Sequence, residues 1–264
     1  MKIKLLFIFC LYCCTTLGAQ AQLVDSTYQE KITSADTSTV IEDDRVGVPL
    51  NRAVVVDTKK DTLVGNIVEA NPLKLLGFVP PASMMLYALT IKGNSGLYSS
   101  KNIHTDMRST FPGFHSPIDD YLALAPGVTA FVTGFIPGTK PRHSNGRRLW
   151  MFVQAQVITS VAVLALKNFT HEERPDGSDY LSFPSGHTAQ AFMGAALFDA
   201  EYPNQLKGVK IGLYALAGLT GVMRMMNDDH WANDVLFGAG LGMLSVRLLY
   251  WSEQHWKKKK SVPR

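Results

Sequence analysis

Three segments of this chain carry residues whose types and spacing suit the handling of a tetrahedral anion. The first runs from Lys167 to Arg174-Pro175, with six residues between the two cations. The second is Pro184-Ser185-Gly186-His187, followed by Thr188. In the third, five residues separate Arg224 from His230, and three separate His230 from Asp234. Arginine pairs bidentately with phosphate oxygens and lysine supplies a point charge. The Pro184–His187 turn opens a predicted helix, whose free N–H groups and positive dipole end form an anion site. His230 and Asp234 stand four residues apart, so on a helix they share a face. A carboxylate bonded to one imidazole nitrogen leaves the other free to attack phosphorus. His187 lies in a separate segment, placed to protonate a departing alkoxide. With the cations stabilising charge, phosphoryl transfer needs no metal or other cofactor here.

The elements that must position these residues are helical. From about residue 72 the chain becomes apolar and rich in Gly and Ala. Helices are expected over 73–91, 121–136, 149–166, 188–200, 209–226 and 234–251. Several contain close to 18 mostly apolar residues, the lower edge of what crosses a bilayer. Lys167, Arg174 and Arg224 fall at the ends of these helices. Cations in or near a membrane are costly, and a shared anionic ligand gives them a reason to be there. Charge placement favours spanning: the loop Lys140–Arg148, the loop with Lys207 and Lys210, and the tail Lys257–Lys260 would share one side. Trp150, Tyr250, Trp251 and Trp256 flank that side as interfacial aromatics. Segments 167–187 and 224–234 then face the other side. By the same parity, segment 73–91, interrupted by Pro80-Pro81, lies on the membrane or re-enters it.

The termini read differently. Lys2 and Lys4 precede an apolar run from Leu5 to Cys14, and Ala19-Gln20-Ala21 follows, the pattern of a secretory signal peptide over 1–21. Its removal takes two lysines and no acid, lowering the net charge from +4 to +2, too little to suggest nucleic acid. All three cysteines (Cys10, Cys13, Cys14) lie within it, which leaves no thiol for disulfides or metal ligation beyond. Residues 22–71 are expected to be an exported leader, with a short hairpin at 53–68. The core domain is expected over 72–252 and a basic tail over 253–264. His171, Glu172 and Glu173 are adjacent in a loop and make a poor metal set. His104, His115, His143 and His255 have no partner at useful spacing and are expected to be solvated. Asp176 and Asp179 are expected to shape the loop between the first two segments.

Together the three segments resemble the signature motifs of the type 2 phosphatidic acid phosphatase superfamily, which also includes bacterial class A acid phosphatases and vanadium haloperoxidases. The resemblance covers about residues 120–250. It implies an all-α, membrane-embedded bundle with its site at the helix ends. It also implies phosphate binding by Lys167, Arg174, Ser185, Gly186 and Arg224, with His187 as acid, His230 as nucleophile and Asp234 as its partner. One position departs from the pattern: Met223 stands where the third motif usually has serine. The implied activity is hydrolysis of lipid phosphates through a phosphohistidine, on the periplasmic face of a bacterial inner membrane. The implied partners are the membrane and a phosphorylated lipid: lipid A, polyprenyl diphosphate, phosphatidic acid or phosphatidylglycerol phosphate. The alternatives are a soluble periplasmic acid phosphatase, haloperoxidase chemistry (for which the chain is short), and a phosphate-binding protein without turnover.

Overall fold

The computed structural model describes residues 76–94 and 98–260, with backbone alone over 256–260. The expected signal peptide, the leader and its hairpin lie outside the described residues. Within them the chain is all-helical. In order come α1 (Val79–Thr90), α2 (Ser100–Thr110), α3 (Ile118–Val132) with a 3-10 turn at Thr133–Phe135, and α4 (Asn145–Thr170). After these come α5 (Gly186–Glu201), α6 (Lys207–Met226) and α7 (Ala232–Lys260).

Helix α5 is the axis of the bundle. Residues on all its faces, from Ala191 to Phe198, are buried, and it packs against α3, α4, α6 and α7. Small residues permit the close approach. A Cβ on Gly242 of α7 would lie 2.0 Å from the Ala189 carbonyl oxygen of α5. One on Gly194 would lie 2.4 Å from the backbone nitrogen of Gly127 in α3. Backbones brought this close gain dispersion contacts even where lipid removes the hydrophobic drive between helices.

Among the described residues, three helices are long and apolar enough to cross a membrane: Asn145–Thr170, Lys207–Met226 and Ala232–His255. At 1.5 Å per residue even the shortest reaches about 30 Å, the thickness of the hydrocarbon core. Val153, Val157, Val161 and Leu164 form an exposed apolar stripe along α4. Helix α1 has only 12 residues, roughly 18 Å, and lies beside the first half of α7, with Pro81 and Met85 against Gly240. Helix α2 is polar, so apolar periodicity does not announce it. Its start is set by Ser99, whose hydroxyl accepts from the Asn102 N–H.

The basic loops gather at one end, as the charge pattern suggests. The Arg142 N–H donates to the Glu201 carbonyl (2.8 Å), the Lys140 N–H to Gln205 Oε1 (3.0 Å), and Arg147 pairs with Glu253 (2.8 Å). Three expectations need correction here. His143 is not solvated: its ring lies between Glu201 (2.8 Å) and Glu253 (3.2 Å), partners more than 50 residues away that spacing cannot reveal. Tyr250 turns inward and donates to Glu201 rather than resting at an interface. At the opposite end His104 pairs with Asp228 (3.0 Å), again across the fold, while His115 and His255 are exposed as expected.

The glycine contacts carry a prediction. Gly242→Val places side-chain atoms into the α5 backbone, which cannot yield, and should destabilise the fold by at least about 1–3 kcal/mol. Thermal unfolding of the detergent-solubilised chain should show a lower midpoint, whereas Gly212→Val, with open space around it, should not.

Candidate active site

The end opposite the basic loops holds a cavity of about 350 Å³ between α4, the start of α5 and the end of α6. Lys167, Arg174, Gly186, His187, Arg224 and His230 all line it. Each arrives by a local device. Lys167 sits in the last turn of α4, which His171 terminates in a left-handed conformation (φ 46°). The chain then turns back so that Arg174 faces the same space. The Arg174 N–H donates to the Asp179 carbonyl, and the Asp179 carboxylate accepts from Arg174 Nε and the Leu181 N–H, both at 2.8 Å. Asp179 thus shapes the loop, as expected, and so does Asp176, which accepts from the Ser178 N–H. Lys167 is steadied by the Leu181 carbonyl.

Gly186 and His187 are the first residues of α5, so their N–H groups have no acceptor within the helix. Two expected site residues stand behind the wall instead of on it. Ser185 is fully buried and its hydroxyl pairs with that of Thr188 (2.9 Å). Its N–H donates to the Asp234 carbonyl (3.0 Å), which fixes the turn against α7. Asp234 lies behind His230. One of its oxygens accepts from Ser182 Oγ and the Trp231 N–H (2.9 Å), and the other from Asn233 Nδ2 (2.7 Å).

His230 itself precedes α7 instead of sharing its helical face. Asp234 is the third residue of the helix, and its bond back to Trp231 satisfies an otherwise unpaired N–H at the helix start. The same Oδ2 stands 3.6 Å from His230 Nδ1, beyond hydrogen-bond distance, so the pair is aligned but not closed. Such contacts often tighten only when substrate binds. His230 is buried, and this burial, reinforced by the charges of Lys167, Arg224 and Arg174, holds its pKa well below the usual imidazole value. A neutral ring is the form that can attack phosphorus.

Three carboxylates complete the cradle, and the motif spacing gave no sign of them. Arg224 Nη1 lies 2.7 Å from Asp119 and 3.2 Å from Asp229. Asp229 also meets Arg174 at 3.4 Å and so bridges the two guanidinium groups. Burial pushes the Asp229 carboxyl upward, against the pull of both arginines. Asp120, on the first turn of α3, places Oδ1 3.0 Å from His187 Nε2. Glu172, part of the weak metal set considered above, is turned to Lys92 (2.8 Å).

The arrangement suits capture of a phosphate by three cations and the start of α5, with a neutral imidazole on one side and a second imidazole on the other. The sequence pattern of the PAP2 superfamily matches residues 121–258 of this chain, which holds every residue of the cavity wall. The chain belongs to the PAP2 superfamily. A lipid A 1-phosphatase of Porphyromonas gingivalis is 38% identical over 149 residues, covering 55% of this chain and 33% of its own length. The chain therefore spans about a third of that relative. A crystal structure of Aquifex aeolicus LpxE aligns with 55% of this chain and 92% of its own, at 23% identity and a TM-score of 0.42. The PAP2 motif residue replaced here, Met223, is buried and is not among the residues that line the cavity.

The Asp120–His187 contact yields a pH prediction. Burial and Arg224 lower the His187 pKa, while Asp120 and Asp119 oppose them. Asp120→Asn removes one opposing charge, so the imidazolium should lose its proton at lower pH. If His187 acts as an acid, the alkaline limb of the kcat/KM profile should move to lower pH in this variant. An unmoved limb would show that Asp120 does not tune the acid.

Proposed function

We propose that this chain is a membrane-embedded phosphatase that removes phosphate from a lipid through a phosphohistidine on His230. The observation that carries this reading is the convergence of Lys167, Arg174, Arg224, His187 and His230 on one cavity at the end of apolar helices. Lys167, Arg174, Arg224 and the Gly186 and His187 N–H groups hold the phosphate oxygens. Nε2 of His230, its Nδ1 directed at Asp234, attacks phosphorus in line. His187 protonates the leaving alkoxide. Water then attacks the phosphohistidine, with His187 in its neutral form accepting the proton and inorganic phosphate departing. Ser185 and Asp234 act from behind the wall, holding the α5 turn and the His230 ring.

The lipid is proposed to be of the lipid A phosphate type, supported by the similarity to the Porphyromonas gingivalis lipid A 1-phosphatase. The site is proposed to lie on the periplasmic face of the inner membrane. Support comes from the basic loops gathered at the other end, where the positive-inside preference puts the cytoplasm.

A phosphate-release assay on detergent-purified protein tests the reading across lipid A-type phosphates, phosphatidate, polyprenyl diphosphate and soluble esters. Lipid phosphates should be the better substrates, and turnover should survive EDTA. His230→Ala and His187→Ala should each lower kcat by at least about 100-fold, with the fold retained. Full activity in either variant would refute its role. Release of the protein from membranes by carbonate and high salt would instead indicate a soluble acid phosphatase.

A further inference from the structure

Helix α2 lies before residues 121–258, the stretch that the PAP2 pattern matches, yet it is bonded to the neighbour of Asp234. Its first residue, Ser100, is 1% exposed, and so is Asn233, the second residue of α7. The two exchange a pair of hydrogen bonds across the fold. So early in α7 the Asn233 N–H has no acceptor within the helix, and Ser100 Oγ accepts it (2.8 Å). The same hydroxyl donates to Asn233 Oδ1 (2.7 Å), which turns the amide nitrogen the other way. Both hydrogens of Nδ2 are then used, one on Asp234 Oδ1 (2.7 Å) and one on Glu172 Oε1 (3.3 Å).

These partners are tied down in turn. The Ser100 N–H donates to the Ile91 carbonyl just past α1 (2.9 Å), and Glu172 pairs with Lys92 (2.8 Å). The Glu172 carbonyl accepts from the Ser182 N–H (2.9 Å), and Ser182 Oγ donates to Asp234 Oδ2. One network therefore joins the end of α1, the start of α2, the loop after α4 and the start of α7. It grips both oxygens of Asp234. Ser182 and the Trp231 N–H fix Oδ2, the oxygen that stands 3.6 Å from His230 Nδ1. Two donors on one atom leave the carboxylate free to pivot about it. The donor on Oδ1, which Asn233 supplies, sets the plane and with it the direction of the Oδ2 lone pairs toward the imidazole.

Resting on the reading of His230 as the nucleophile, we infer that Asn233 is a positioning residue for the Asp234–His230 pair and that Ser100 acts through it. Helix α2 thereby takes part in the site, although it lies outside the stretch that the PAP2 pattern matches. Neither Ser100 nor Asn233 is among the residues that line the cavity, so neither is placed to hold phosphate. Their loss falls on the attack at phosphorus and leaves the cradle as it is. Misplacing a reacting pair by about 1 Å costs up to roughly 100-fold in rate.

The test uses the full chain in mixed micelles with lipid A bisphosphate as substrate and inorganic phosphate as competing inhibitor. Asn233→Leu keeps the bulk of the side chain and removes its donors and its acceptor. It should lower kcat, and the single-turnover rate of phosphohistidine formation, by about 10- to 100-fold. The Ki of inorganic phosphate should stay within about threefold of wild type, because the cradle is untouched. Ser100→Ala should lower kcat by about threefold or more, and should add little in the Asn233→Leu background, since both changes break one link. An unchanged kcat in Asn233→Leu, or a Ki that weakens in step with kcat, would overturn the positioning role and leave the phosphatase reading intact. Losses that multiply in the double variant would overturn the route from Ser100 through Asn233. Should Asn233→Leu not fold, an unchanged kcat in Ser100→Ala alone would overturn the inference. Full activity in His230→Ala would overturn the nucleophile, and the role of Asn233 with it.

Discussion

Three cations share one cavity at the end of an apolar bundle, and their mutual repulsion is the constraint around which the rest is built. Like charges that share a partly desolvated site repel one another unless opposed (for scale, about 4 kcal/mol for a pair at 4 Å and an effective dielectric of 20). The opposition is supplied from three directions. Asp119 comes from α3, Asp229 from the turn before α7, and Asp179 from the loop that carries Arg174. These ion pairs tie α3, α6 and the loop after α4 to one point. The helix packing must bring them there, which is why Gly127, Gly194 and Gly242 let the backbones of α3, α5 and α7 approach so closely. A bound phosphate would take over much of the role that the carboxylates play around the two arginines.

The same field separates the two histidines. His230 is buried beside all three cations and is held neutral, the state a nucleophile needs. His187 is more open and has Asp120 beside it, a partner suited to an imidazolium. In the proposed mechanism, environment and not residue type divides attack from proton donation between two identical side chains. Asp234 has a double task. It caps the start of α7 through Trp231 and presents the same oxygen to His230, so the helix start and the proposed nucleophile are aligned by one carboxylate.

Much of this was legible in the chain because it is local. The apolar runs mark six of the helices, most of their ends to within four residues, although the first begins six residues later than expected, the last runs nine residues further, and polar α2 was not expected; the motif spacing carries Lys167, Arg174, His187, Arg224 and His230, all of which reach the cavity. What was not legible depends on contacts between distant segments. Asp119 and Asp120 precede Arg224 by about a hundred residues and sit at the start of an apolar helix, where they read as ordinary first-turn acids. His143 reads as a loop histidine until Glu201 and Glu253 close on it. Gln156 stands inside an apolar run, and only the fold shows that it lines the cavity. The resemblance implies a site role for Ser185 and spacing implies one for Asp234, yet neither shows that both stand behind the wall.

The central claim is that phosphorus is transferred to His230. The most direct measurement is rapid acid-free quenching of a single turnover with a phosphate-labelled lipid, followed by peptide mapping under alkaline conditions that preserve phosphohistidine. The account predicts a transient label on His230 alone, formed and lost at rates consistent with turnover. Turnover with no label at any time, or a label on His187, would contradict it.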